Sequence, residues 1–355
     1  MATFHPLTVK DIRRETADCV SVAFNVPASL QEVFAFTQGQ YITLRTQLAG
    51  EEVRRSYSLC VSPLDHELRV AIKEVPGGRF STFANQQLQI GDTLEVMPPE
   101  GRFFTPLQAE NTKHYVAFAA GSGITPVFSI MKTILETEPK SRFTLFYRNQ
   151  RTETIIFREA IEALKNIYLQ RLSVYYLLSK EHTGSELFSG RIDRDRCRTF
   201  TEKIIPVSNI DEFFLCGPEE MTLSVRDELR AQGVARENIH LELFGTNTGK
   251  RKKKERNATT SDYAAEVSIQ VDGNAFTFVM NDPNESVLDA ALRNGADLPF
   301  ACKGGVCCTC RAKVEEGKVE MDVNYALEPD EVAAGFILTC QSHPTTNKLV
   351  INFDA

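Results

Sequence analysis

No run of about 18 apolar residues able to span a bilayer occurs anywhere in the 355-residue sequence. Its opening, MATFHPLTVKDIRRET, also lacks the uninterrupted apolar segment of a secretory leader. The expectation is a cytoplasmic protein without a membrane partner. A disulfide framework is missing as well. The nine cysteines are an odd number, five of them fall between 302 and 340, and Cys19, Cys60, Cys197 and Cys216 are scattered. The one strongly basic segment, KRKKKER, lies within GTNTGKRKKKERNATTSDY, which has no interleaved aromatics below its last residue and no hydrophobic periodicity. It reads as a solvated linker, and no nucleic-acid partner is expected.

What the chain does contain is the balance of an ordinary globular protein, 42% hydrophobic and 25% charged residues. Its length exceeds what one hydrophobic core usually organises, so two or three domains are expected. The formal net charge of −7 is uneven: residues 266–355 hold six Lys and Arg against fourteen Asp and Glu. The C-terminal part is an acidic module.

Residues 1–107 carry β-branched or alternating runs, SVAFNV, YITLRT and LRVAIKEV, separated by turn residues. They predict a small antiparallel β-barrel. From 108 to 245 the rhythm becomes strand then helix: YVAFAA before VFSIMKTILETE, FTLFYR before FREAIEALKN, EFFLC before a helix at about 219–231. That alternation predicts a parallel sheet with crossover helices. A linker is expected at 246–265. Beyond it, AEVSIQVDGNAFTFVM reads as two strands around an Asp-Gly turn, and ESVLDAALRNGA as a short helix ending at Gly295, within a C-terminal α+β domain at 266–355.

Within PFACKGGVCCTCRAKV, residues Cys302, Cys307 and Cys310 form C-x4-C-x2-C, and Cys340 follows after 29 intervening residues. This is the spacing of a plant-type [2Fe–2S] site. Cluster sulfides accept hydrogen bonds from nearby amides, so the chain must wrap closely, and Gly304 and Gly305 permit that. Structural zinc prefers paired C-x2-C hooks and only one is present, which leaves zinc the poorer fit. Cys308 falls outside the spacing and reads as a spectator.

Four further motifs precede the cysteines. RRSYSLC places Arg55 and Tyr57 on one side of a strand, a guanidinium suited to phosphate beside a ring that can cover a flat heterocycle. KEVPGGRFSTF supplies two glycines and then Ser81 as an N-cap, at a helix start that can hold a pyrophosphate. HYVAFAAGSGITPVFSI sets G-S-G-I-T-P between strand and helix, with Pro126 at the expected first helical position. LCGPEEM, Cys216 to Met221, makes a second tight turn of the same kind, and two such turns at one sheet edge point to a nucleotide cleft. Taken singly, R-x-Y-S is a short word, GG-x-x-S is a capped turn and G-x-G is weak.

In this order the motifs resemble the ferredoxin–NADP reductase superfamily fused to a C-terminal ferredoxin, over nearly the whole chain. The resemblance implies FAD, a [2Fe–2S] cluster and NADPH as cofactors, and a multicomponent oxygenase, expected to be a diiron one, as partner. It implies that Arg55 contacts the FAD phosphates, Tyr57 lies against the isoalloxazine and Ser58 hydrogen-bonds near its N5, while Gly78 and Ser81 hold the pyrophosphate. Ser56, Lys73, Arg79 and Phe80 complete that cofactor-binding set. Thr125 and the Cys216–Gly217 turn would place the nicotinamide, with Gly121, Gly123, Pro126, Pro218 and Met221 around it and Phe244 shielding the flavin's other face. Ser58 and Cys216 are the catalytic candidates, and Cys302, Cys307, Cys310 and Cys340 the metal ligands. The family often carries a Y-G-N-R-like stretch for the 2′-phosphate of NADPH. Here YRNQRTET offers Arg148 and Arg151 instead, which leaves NADH as the alternative. The implied activity is that of a flavin and iron–sulfur oxidoreductase serving an oxygenase, with an aromatic-ring hydroxylase among the systems it fits and a non-catalytic metal-binding regulator as the reading from another class.

Overall fold

The computed structural model describes residues 3–244 and 263–355. The expected linker lies outside the described residues except for its last three positions, and KRKKKER lies outside them entirely. Residues 5–244 belong to one compact unit and 263–355 to another. Among the described residues no helix is long and apolar enough to cross a membrane.

The first unit opens with six strands: β1 (His5–Thr16), β2 (Cys19–Asn25), β3 (Tyr41–Leu48), β4 (Glu51–Ser58), β5 (Leu68–Lys73) and β6 (Thr93–Val96). They form an antiparallel sheet in the order β4-β3-β6-β1-β2-β5. A bridge from Leu59 to Val70 joins its two ends, which makes the sheet a barrel. Leu7, Val9, Val22, Ile42, Leu44, Val70, Ile72 and Val96 fill the interior. Each comes from the inward-facing side of an alternating strand. Helix α1 (Arg79–Gln86) follows β5 and packs Phe80 and Ala84 into the same core.

The second half of this unit alternates as the sequence predicts, through β7 (His114–Ala120), α2 (Ile124–Thr137), β8 (Arg142–Asn149), α3 (Arg158–Ile167), β9 (Leu172–Leu178), α4 (Arg194–Lys203), β10 (Glu212–Gly217), α5 (Glu219–Ala231) and β11 (Ile239–Leu243). The five strands are parallel in the order β11-β10-β7-β8-β9. Helices cover both faces, so β10 is buried along its length. Helix α2 buries eleven of its fourteen residues. One side lies on the sheet, and on another the Ser129 hydroxyl donates to the Val61 carbonyl at 2.6 Å while Lys132 pairs with Asp65. That explains why ITPVFSIMKTIL is apolar nearly all round.

The second unit contains β12 (Ala265–Val271), β13 (Asn274–Met280), α6 (Val287–Arg293), β14 (Arg311–Glu316), β15 (Val319–Met321), α7 (Pro329–Ala333), β16 (Phe336–Leu338), β17 (Ser342–Pro344) and β18 (Lys348–Asn352). Its main sheet runs β13-β12-β18-β14-β16, with β12 and β18 parallel and the other neighbours antiparallel. Ser286 caps α6 by accepting from the Asp289 N–H at 3.1 Å, and the helix lays Val287, Leu288, Ala290 and Ala291 on the sheet. The cysteine loop, 301–310, enters β14 directly.

Candidate functional site

Strand β4 ends at the first motif. Its alternation leaves Arg55 exposed and Ser58 buried, with Ser56 and Tyr57 half-buried. The Ser56 hydroxyl hydrogen-bonds Thr43 at 3.0 Å, and the Arg55 guanidinium donates to the Arg54 carbonyl at 2.6 Å. The Tyr57 ring leans on Phe80, centroids 5.6 Å apart. Phe80 is therefore a core side chain that backs Tyr57. Lys73 pairs with Asp18 at 3.4 Å, and Arg79 donates to Glu51 at 2.5 Å and to the Leu48 carbonyl at 2.7 Å.

Ser81 is not the N-cap expected from the sequence. Helix α1 starts at Arg79 behind an extended Gly78, and Ser81 sits in its first turn. There its hydroxyl accepts from the Val75 N–H at 3.1 Å and donates to the Gly78 carbonyl at 3.2 Å, closing the glycine turn. Pro126 likewise stands third in α2, because a short 3-10 turn at Gly121–Gly123 lets the helix begin at Ile124. Proline is tolerated there since the first four helical N–H groups have no intrahelical acceptor.

The two turns at the edge of the parallel sheet meet. A Cβ on Gly123 would lie 2.2 Å from the Cys216 carbonyl oxygen, so only glycine fits where the β7 and β10 turns touch. Tyr147 donates to the Gly121 carbonyl at 3.0 Å and Thr125 to that of Ser122 at 3.0 Å, which fixes the G-S-G-I-T backbone. Pro218 leads into α5, and Met221 packs against Gly217. The Phe244 N–H donates to the Gly217 carbonyl at 2.9 Å, bringing that residue to the same corner.

The parallel register of β10 and β11 sets Cys216 opposite Glu242. No motif in the sequence marks Glu242, although an acid between two leucines in IHLELF is a visible anomaly. The Ser58 hydroxyl donates to its carboxylate at 2.9 Å. Burial raises the Glu242 carboxyl to about 7, against the opposing pull of the Ser58 bond. Burial, and then Glu242, pushes the Cys216 thiol far up, so it is present as a neutral thiol. Ser58, Cys216, Glu242 and Phe244 thus converge from β4, β10, β11 and the residue beyond β11.

At the far end of β8, the Arg148 guanidinium donates to the Ser179 hydroxyl at 2.8 Å, and among the described residues its Nε has no hydrogen-bond partner. Burial lowers its affinity for the proton, and so does the charge of Arg191. Arg151 is exposed, near Glu181, whose carboxylate accepts from the Thr152 N–H at 2.7 Å and hydroxyl at 2.8 Å. Arg191, 43 positions beyond Arg148, is thus a second guanidinium near it that no sequence spacing marks.

In the second unit the four spaced cysteines sit together as two pairs. The Cys307 thiol donates to Cys302 at 3.1 Å, and Cys310 donates to Cys340. The donated bonds, with the Gly304 N–H at 3.3 Å from Cys302, lower the Cys302 and Cys340 thiols toward thiolate. Cys308 turns away, its Sγ 3.6 Å from the Ala326 carbonyl. Among the described residues no group of three or more His, Cys, Asp or Glu is arranged to hold a single metal ion. A single ion needs four donors about one point, whereas two adjacent thiol pairs suit two iron atoms with two ligands each. The donor set fits a [2Fe–2S] cluster.

Family models match the chain in three consecutive parts. They are an oxidoreductase FAD-binding domain over residues 6–105, an oxidoreductase NAD-binding domain over 118–227 and a 2Fe-2S iron-sulfur cluster binding domain over 269–345. The chain is 47% identical over 355 residues to one of the subunits of the 1,2-phenylacetyl-CoA epoxidase of Escherichia coli (strain K12), covering 100% of this chain and 99% of that one. The chain belongs to the ferredoxin–NADP reductase superfamily, in its ferredoxin-fused branch. It is also 35% identical over 354 residues to the ferredoxin reductase component of 3-ketosteroid-9-alpha-monooxygenase from Rhodococcus rhodochrous, covering 98% of this chain and 96% of that one. The fold is that of phthalate dioxygenase reductase, with a TM-score of 0.60 at 22% identity, covering 99% of this chain and 98% of that structure. This superfamily member is an NAD(P)H-dependent oxidoreductase that uses FAD and a [2Fe–2S] cluster.

Proposed function

We propose that the chain carries electrons from NADPH through FAD and the [2Fe–2S] cluster to the oxygenase component of a phenylacetyl-CoA epoxidase. The carrying observation is the 47% identity along the full length to a component of that enzyme from Escherichia coli. The sequence points the same way through ACKGGVC, NYALEPDE and IHLELF. The oxygenase is proposed to be a diiron protein. The compartment is proposed to be the cytoplasm.

The bound flavin supplies acceptance of a hydride and release of single electrons, and the cluster supplies a one-electron carrier. The residues do the rest. Arg55 binds phosphate, Gly78 and the first turn of α1 offer N–H groups to the pyrophosphate, and Tyr57, held by Phe80, covers the ring system. Ser58 would stand near the reacting edge of the flavin, with its hydroxyl hydrogen held by the Glu242 carboxylate. Thr125, Cys216 and Gly217 would hold the nicotinamide, with Cys216 present as an uncharged thiol. Phe244 shields the opposite face. Arg148, with Arg151 and Arg191 as its candidate companions, takes the 2′-phosphate of NADPH. Cys302, Cys307, Cys310 and Cys340 hold the cluster.

The test is reconstitution with the oxygenase components of the same organism. NADPH should drive epoxidation of phenylacetyl-CoA. Turnover of benzoate-type substrates by a ring hydroxylase, with no activity on the thioester, would replace this reading by that of another oxygenase reductase.

A further inference from the structure

Cys340 stands on a 3-10 turn, Thr339–Gln341, between β16 and β17. The next residue, Gln341, is held on three sides. Its carbonyl accepts from the Asp322 N–H at 2.9 Å. Its carboxamide nitrogen lies 3.0 Å from the Lys303 carbonyl, 3.0 Å from the Cys340 carbonyl and 3.7 Å from the Cys340 sulfur. Its stem runs against Gly305, where an added Cβ would stand 3.1 Å from Gln341 Cγ. Gly305 also has a φ of +73°, so the loop leaves that space open by backbone conformation as well.

The chemistry fixes which end of the amide points inward. All three neighbours are acceptors, so the reversed carboxamide would set oxygen against oxygen and sulfur. Two hydrogens are shared among three acceptors, one of them the ligating sulfur. Cys302 draws a comparable N–H from the Gly304 main chain at 3.3 Å, which no substitution of a side chain removes. Cys340 draws both kinds of donor, the Gly305 main-chain N–H and the Gln341 side chain, and only the second can be removed by substitution.

We propose that Gln341 is a positioning residue that raises the reduction potential of the cluster, by donating to the Cys340 sulfur while the Lys303 carbonyl holds its amide in place. The oxidised cluster takes up one electron to become the reduced cluster, and the carboxamide keeps its protons. Added negative charge spreads onto the thiolates, so an N–H aimed at one of them stabilises the reduced state more than the oxidised state. The inference rests on Cys340 being a ligand, and iron loss in Cys340→Ser tests that point separately.

The experiment is a redox titration of the intact, flavin- and iron-loaded chain and of Gln341→Met, which keeps the length and loses the donor. The variant should retain its iron, with the one-electron equilibrium displaced up to about tenfold toward the oxidised cluster, a fall of about 59 mV. NADPH-dependent ferricyanide reduction should not change. Gln341→Glu should fall at least as far, and Gln341→Lys, which restores a donor and adds a positive charge, should reach or exceed the wild-type potential. A fully iron-loaded Gln341→Met at the wild-type potential would overturn the proposal. Should that variant lose its iron, glutamine side-chain 15N labelling of the wild-type chain decides. Pulsed EPR of the reduced cluster should detect a coupled side-chain 15N, and no coupling would overturn the proposal. Gln270 in β12, the other glutamine among the described residues of this unit, serves as the control by its own replacement.

Discussion

The Ser58 hydroxyl and the Glu242 carboxylate, 184 positions apart in sequence, are 2.9 Å apart in the fold. The bond ties the last residue of β4 in the barrel to β11 of the parallel sheet, beside the Cys216 turn. A hydroxyl from the flavin side and a titratable group from the nucleotide side thus share one hydrogen bond.

Glu242 gives the site a pH dependence. Its carboxyl titrates at about 7 instead of 4.5, so between those values the folded chain binds a proton that the unfolded chain lacks. Stability therefore falls as pH rises through that window. Glu242→Gln should abolish this slope and be the more stable protein at pH 8, by at most about 3 kcal/mol. Denaturant unfolding at pH 5 and pH 8 measures both. Flavin bleaching by NADPH in stopped flow should slow above pH 7 in the wild type and stay flat in the variant, because a carboxylate forms there only in the wild type.

The cysteine assignment separates one thiol from four. Cys302→Ser, Cys307→Ser, Cys310→Ser and Cys340→Ser should each lose cluster iron and visible absorption, since each removes one member of a thiol pair. Cys308→Ser should keep both, because its sulfur faces the Ala326 carbonyl. Equal iron loss in Cys308→Ser would mean a different cage.

Nucleotide choice tests the guanidinium groups. Arg148→Ala combined with Arg191→Ala should raise KM for NADPH about tenfold or more while leaving KM for NADH within about twofold, as expected for loss of contacts to one charged phosphate. Arg148→Ala with Arg151→Ala tests the pair that sequence spacing suggests. If the second combination has the larger effect, Arg151 and not Arg191 is the companion; equal rises for both nucleotides would remove the phosphate role.

Ending the chain after residue 250 should leave a folded flavoprotein, because residues 5–244 form a compact unit with their own cores. It should reduce ferricyanide with NADPH and fail to reduce cytochrome c. Persistent cytochrome c reduction would show that electrons leave without the cluster.

The acidic balance of residues 266–355 predicts steering toward a basic partner surface. The rate coupled to the oxygenase should drop steeply between low and physiological salt while NADPH–ferricyanide activity barely changes. A salt-independent coupled rate would assign the acidity to solubility alone.

Much of this molecule is legible from local spacing. Alternation in YITLRT and LRVAIKEV marks barrel strands, the strand–helix rhythm after residue 113 marks the parallel sheet, and C-x4-C-x2-C marks the cluster, because side-chain direction in a strand or tight loop follows from position along the chain. Spacing misplaces the start of α1 by three residues and that of α2 by two, since it cannot weigh a glycine turn or a 3-10 lead-in against a helix start. Glu242, Arg191 and Gln341 needed the folded chain. Barrel closure at Leu59 and Val70, the register of β10 on β11, and the wrap of the cysteine loop around the stem of Gln341 are contacts between distant segments, and their geometry is set by packing that no short word of sequence contains.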